Sequence, residues 1–263
     1  MGVYLLKHKI RFIGFCIMLA VVFMLGCISN GNSSTSPSVE DRYALIYNGP
    51  VAAEDCPEAV AAIAEPVGLQ VKFVSDISEL PWLLKHAAVF IIGGTEDDIS
   101  PLIKAFNPDV TKALKDYLRN GGHYLGICGG GYMASTGWEE GKSFVKTLGI
   151  ISAESSDFSD NWDPQILQIR WLGKIHPMYF QYGPAFDIVP DRETVQVIAY
   201  YADGRIAALM SSYGKGKVAV CGPHPEARES WSEEAANGDA WTSTTDLACD
   251  LLKELLSDSP VKR

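Results

Sequence analysis

From Arg42 onward, short apolar runs alternate with longer amphipathic segments, and this alternation confines the chain to an α/β fold. The runs YALIY (43–47), QVKFV (70–74), AVFII (88–92) and HYLGI (123–127) lack the strict two-residue alternation of a sheet with one wet face. They read as strands covered by helices on both sides. Helices are predicted over about 55–67 and 109–120; Asn107-Pro108 starts the second and Asn120-Gly121-Gly122 stops it. A further helix is expected from Gly131 to about Trp138. Shorter strands at 165–171, 194–201, 206–212 and 217–221, separated by Gly, Pro and Asp turns, should complete the sheet. Thr244 to Leu256 places Leu247, Leu251, Leu252 and Leu255 at helical spacing. The expectation is one domain over 42–258, a doubly wound, mostly parallel sheet with helices on both faces, followed by a short tail at 259–263.

The first 41 residues read differently. Lys7, Lys9 and Arg11 precede an uncharged apolar run from Phe12 to Leu25, which is shorter than the roughly 20 residues a membrane-spanning helix requires. Residues 1–26 are therefore expected to be a signal peptide. Met24-Leu25-Gly26-Cys27 resembles a lipoprotein processing site, which makes Cys27 the candidate acylated N-terminus. Residues 27–41 form a Ser-rich tether whose composition cannot offset its ordering entropy. The expected location is the outer side of the cell membrane, held by the lipid. Residues 1–26 contain three basic side chains and no acidic one, so cleavage takes the net charge from −10 to −13. That balance excludes nucleic acid as a partner and leaves the acyl chain as the membrane contact. Cys56, Cys128, Cys221 and Cys249 show no metal-ligand spacing, so neither metal nor cofactor is expected; in an exported chain they leave room for one disulfide.

The sharpest local feature is Gly126-Ile127-Cys128-Gly129-Gly130, directly after a predicted strand and before a predicted helix. A cysteine on such a turn sits in strained backbone, flanking glycines permit close approach, and amides at a helix start can stabilise a thiolate or an oxyanion. A thiol nucleophile needs a base. His224 follows the predicted strand KVAVC (217–221) through Gly222-Pro223, and Glu226 two residues later can orient its imidazole. Both turns would open at the carboxyl edge of the sheet, where such folds gather their sites.

These residues resemble the class I glutamine-amidotransferase-like superfamily, whose Cys, His and Glu lie in a G-x-C-x-G turn and an H-P-E sequence. The match is most similar to the N-terminal domain of biotin-protein ligase and its stand-alone prokaryotic relatives. It is carried by A-L-I-Y-N-G-P (44–50), A-V-F-I-I-G-G (88–94), G-G-H-Y-L-G-I-C-G-G-G-Y (121–132) and Y-F-Q-Y-G-P-A-F (179–186). The resemblance implies a flavodoxin-like sheet, with Cys128 as nucleophile, His224 as base and Glu226 as orienting acid. It also implies the Gly94 and Gly129 amides as oxyanion donors, with Gly93, Gly130, Tyr132 and Tyr182 in the substrate pocket. No ligase catalytic segment follows, so biotin transfer is not expected. Glutamine-hydrolysing relatives carry Gln where this chain has Tyr132, which speaks against glutamine as substrate.

Two readings follow: a cysteine hydrolase acting on an amide or related acyl bond of a small-molecule or peptide-like substrate, or a catalytically idle domain using the same pocket to bind a small molecule or partner. A chaperone- or deglycase-like relative would share the reactive cysteine without amide turnover. Elsewhere, Cys221 and Cys249 read as core, Cys56 as structural or close to the site, and His123 as structural. His86 and His176 read as loop residues. Asp157, Asp160 and Asp163 read as a solvated loop, since no Ca²⁺-loop Gly and terminal Glu accompany them. Trp162, Trp171, Tyr179, Phe180 and Tyr182 are candidates for a pocket wall or for core.

Overall fold

Every residue of HYLGI is buried, and this strand, β4 (His123–Ile127), has a parallel neighbour on each side. The computed structural model describes residues 42–190, 194–235 and 240–262. The expected signal peptide and the tether with Cys27 lie outside them. In chain order the strands are β1 (Tyr43–Tyr47), β2 (Gln70–Val74), β3 (Ala87–Ile92), β4, β5 (Gly137–Glu140), β6 (Ser143–Lys146), β7 (Ala153–Asp157), β8 (Gln165–Trp171), β9 (Lys174–Phe180), β10 (Pro184–Ile188), β11 (Val195–Tyr200), β12 (Ile206–Tyr213) and β13 (Gly216–Cys221). Helices are α1 (Cys56–Ala64), α2 (Leu80–Leu83), α3 (Ser100–Ala105), α4 (Pro108–Arg119), α5 (Gly129–Ala134), α6 (Glu229–Ser232) and α7 (Thr245–Leu256).

The main sheet runs β2-β1-β3-β4-β13-β12-β11-β8-β9. Its β2-to-β13 portion is parallel, and the rest is an antiparallel extension, with β10 joining β12 to β7. One apolar layer packs α1 and α7 against a face of the sheet through Val60, Ile63, Leu252 and Leu255. The opposite layer packs α2 and α4 through Leu83, Val110, Leu114 and Leu118. These are the two covered faces expected from the apolar runs, in a single α/β domain. In α4, Pro108 sets the first turn, Asn107 Oδ1 accepts from the Asp109 and Val110 amides, and Val110, Leu114 and Leu118 form one buried stripe.

The differences lie in the second half. The helix expected to run to Trp138 ends at Ala134, where Ser135 turns to extended backbone (φ −60°, ψ 175°). The Ser135 hydroxyl accepts from the Gly137 amide and bonds the Ser155 hydroxyl at 2.9 Å, turning the chain into the hairpin β5–β6 beside β7. His176, expected in a loop, lies within β9. The four described cysteines are all free and buried, so the disulfide is absent among the described residues. Among these residues no helix is long and apolar enough to cross a membrane.

Candidate active site

Cys128 joins β4 to α5 with φ 52° and ψ −111°, a conformation costing roughly 1–3 kcal/mol for a side chain with a Cβ. Neighbouring strands hold it there. Its amide donates to the Cys221 carbonyl at the end of β13 (2.8 Å), and the Gly130 amide donates to the Gly93 carbonyl beyond β3 (3.1 Å). The buried Tyr124 hydroxyl donates to the Gly130 carbonyl (2.8 Å). A Cβ at residue 130 would stand 1.9 Å from the Ile92 carbonyl oxygen, so this turn closes only with glycine. Gly93 and Gly130, expected in the substrate pocket, do not line it; they fasten the turn to β3 from beneath.

His224 leaves β13 through Gly222-Pro223, and its amide donates to the Tyr179 carbonyl of β9 (2.8 Å). Its Nδ1 lies 2.9 Å from Glu226 Oε1, with both side chains buried. The imidazole and Cys128 face the same pocket. The rings of Tyr179 and Trp231 stand edge-on to it, each 5.7 Å away between centroids. Burial opposes protonation of His224, but the Glu226 carboxylate and the Cys128 sulfur outweigh it and raise the imidazole pKa. Glu226 Oε2 is buried and has no hydrogen-bond partner among the described residues, so the imidazole is the carboxylate's polar contact.

Gly94 and Gly129 both line the pocket above Cys128. A Cβ at residue 94 would come within 3.0 Å of His224 Cε1 and 2.7 Å of Cys56 Sγ, so the Gly94 backbone adjoins the imidazole directly. Gly129 is the first residue of α5, where an amide has no acceptor inside its own helix. Cys56 opens α1 as a second thiol of the same pocket, but burial and then Glu226 push its pKa well up, which keeps it neutral.

The pocket holds about 680 Å³. Tyr132 and Tyr182 both line it and are tied together, because Asp157 at the end of β7 accepts from the Tyr132 hydroxyl (2.6 Å) and the Tyr182 hydroxyl (3.0 Å). Tyr182 has φ 52° and stacks on Trp162 at 3.5 Å. Burial and then the Asp157 bond push the Tyr182 hydroxyl up to about 12. Asp157, expected in a solvated loop, is therefore a wall residue; its strand AESSD is too polar to read as a strand alone. Tyr179 also lines the pocket, whereas Trp171 and Phe180 are core. Gln181 and Trp231 were not foreseen. The Gln181 carbonyl accepts from Cys128 Sγ (3.5 Å), and only the closeness of Trp231 to His224 in the chain could have flagged it.

The lip is acidic. Glu54 follows β1, Glu96, Asp97 and Asp98 follow β3, Glu139 and Glu140 come from the β5–β6 hairpin, and Glu234 follows α6. Among the described residues no group of carboxylates, His and Cys is arranged to hold a metal ion.

The fold is similar to that of glutamine amidotransferases of known structure. The chain superposes on a glutamine amidotransferase crystal structure with a TM-score of 0.53 at 16% identity, covering 71% of this chain and 90% of that one. Against PurLQS from Thermotoga maritima the TM-score is 0.56 at 16% identity, over 80% of this chain and 97% of that one. A second Thermotoga maritima glutamine amidotransferase gives 0.52 at 14% identity, over 83% and 96%. More specifically, residues 43–148 match the family model "Biotin-protein ligase, N terminal". Over 212 residues the chain is 25% identical to the biotin–protein ligase of Schizosaccharomyces pombe, covering 69% of this chain. It spans about a third (33%) of the length of that curated relative.

Proposed function

We propose that this domain is a cysteine hydrolase acting on an amide or related acyl bond. The observation carrying this reading is the buried His224–Glu226 pair, 2.9 Å apart, which shares one pocket with a cysteine on a strained turn. A raised imidazole pKa makes His224 a counter-ion for a Cys128 thiolate. The thiolate attacks the carbonyl carbon, and the Gly94 and Gly129 amides stabilise the resulting oxyanion. As the C–N bond breaks, the imidazolium gives its proton to the departing nitrogen, leaving a thioester. Water then attacks with His224 taking its proton, and the C–S bond breaks to regenerate the thiolate. Glu226 holds the tautomer and supports the charge that forms on the ring.

Iodoacetamide labelling of Cys128, followed by peptide mapping, tests this. The native thiol should react at neutral pH at least about tenfold faster than in the denatured chain, and His224→Ala should remove most of that acceleration. Glu226→Gln should change labelling less while impairing acyl turnover. Native labelling no faster than denatured, or a profile untouched by His224→Ala, rejects catalysis and leaves the idle binding domain. We further propose that acylated Cys27 displays the domain at the outer membrane surface, supported by the basic-apolar leader and the residues around Gly26-Cys27. An intact-mass measurement of the mature protein checks this; a first residue other than Cys27, or no acyl mass, removes the anchor.

A further inference from the structure

The pocket above Cys128 has a one-sided charge. Its described lining contains eight carboxylates and no Lys or Arg, although the chain as a whole carries 22 basic side chains for 32 acidic ones. The cations nearest in sequence stand outside the lining: Lys142 and Arg228 are absent from it, Arg228 pairs with Asp55 at 3.8 Å, and Lys104 acts on Asp98 alone from beyond it. None of the eight lining carboxylates forms an ion pair among the described residues, and the His224 imidazole already faces Glu226. The acids are not an inorganic cation site, because no set of them converges as metal ligands do. Six aromatic rings line the same pocket: Tyr132, Trp138, Trp162, Tyr179, Tyr182 and Trp231. Ring faces attract organic cations, and a concave site lined by one sign of charge concentrates counter-ions.

We propose that the substrate is a cationic acyl compound, an amide bearing at least one ammonium or guanidinium group and no carboxylate next to the scissile carbonyl. This rests on the reading of Cys128 as the reacting group and adds the charge of what reaches it. The carboxylate lip draws the cation in, and the aromatic walls hold its hydrophobic flanks. A free amino acid such as glutamine is selected against, because its α-carboxylate meets carboxylates and finds no Lys or Arg among the described lining residues. Tyr132 fits this selection: where an amide side chain would receive glutamine, the pocket presents a phenol committed to Asp157.

Two methanethiosulfonate reagents of similar size, one ending in trimethylammonium and one in sulfonate, test the proposal on the full domain. In each, the thiolate attacks the sulfenyl sulfur, forms a mixed disulfide and expels methanesulfinate. The rate ratio at Cys128, normalised to 2-mercaptoethanol, should favour the cation by about tenfold or more at low ionic strength. It should shrink as salt screens the exposed lip. Combining Glu96→Gln, Asp97→Asn, Glu139→Gln and Glu140→Gln should bring the ratio close to one. A normalised ratio at or below one in the parent domain overturns the proposal.

A second measurement needs no thiol chemistry. Cys128→Ala titrated with benzyltrimethylammonium or benzenesulfonate, followed by tryptophan fluorescence, should bind the cation selectively; equal or reversed preference again overturns the proposal. If Cys128 reacts with neither reagent while Cys128→Ala still selects the cation, the catalytic reading fails and the charge assignment stands. If Cys128 reacts rapidly without charge preference, the reverse holds.

Discussion

The parallel and antiparallel parts of the sheet contribute differently to the pocket. The turns after β3, β4 and β13, all in the parallel part, supply Gly94, Cys128, His224 and Glu226, the atoms closest to the proposed chemistry. The antiparallel part and the β5–β6 hairpin supply Tyr179, Gln181, Tyr182, Asp157 and Glu139, which form the walls and lip. The floor is held by backbone hydrogen bonds and contacts too close for any Cβ, whereas the wall rings Tyr132, Tyr182 and Trp162 are held by side chains touching side chains. A floor built from backbone tolerates little change. Walls built from side chains can be replaced with less damage.

The same substitution made in both parts should expose this contrast most strongly. Gly130→Ala forces a methyl group against the Ile92 carbonyl, and the expected loss in unfolding free energy is about 3 kcal/mol or more. Gly173→Ala, in the β8–β9 turn, meets nothing within 4 Å and carries only the strain of φ 86°, about 1 kcal/mol. Urea denaturation of both variants measures the difference. Comparable losses would mean that the floor relaxes as readily as a surface turn.

The smaller effect belongs to the contact between α5 and the wall residue Asp157. Tyr132→Phe deletes the donor to Asp157 and should cost about 1 kcal/mol, with Cys128 alkylation by a neutral reagent unchanged within about twofold. If that alkylation collapses, the wall takes part in activating the thiol and the division between floor and wall is broken.

The same division governed what could be read from the sequence. Strands β1, β3 and β4 were legible because burial on both faces imposes continuous apolar runs, edge strand β2 by its β-branched and aromatic residues although only Val74 of it is buried, and helix α4 because Asn107-Pro108 and Gly121 mark its ends chemically. Cys128, His224 and Glu226 were legible because each floor residue sits in a short Gly- or Pro-flanked turn. The extension was partly illegible. AESSD of β7 and KIHPMYF of β9, with Pro177 inside it, owe their extended shape to pairing with β10 and β8, and a partner's location is not written locally. The same holds for Asp157, whose role depends on two tyrosines lying 25 residues before and after it in the chain. The end of α5 depends on Ser135 meeting Ser155, again a distant partner.

Strands β4 and β13 are neighbours, paired in parallel from His123 with Lys217 to Ile127 with Cys221. Everything between them in the chain, both wall-bearing hairpins included, therefore departs from and returns to adjacent lanes of the sheet, roughly 4.8 Å apart. The intervening stretch is fixed at both ends, by the elbow at Cys128 and the return through β13, and of its elements only the β5–β6 hairpin among the described strands forms a sheet of its own. Lengthening or replacing that hairpin would change the lip of the pocket while keeping the bond from the His224 amide to the Tyr179 carbonyl that seats the imidazole, so the rim can vary over a fixed floor.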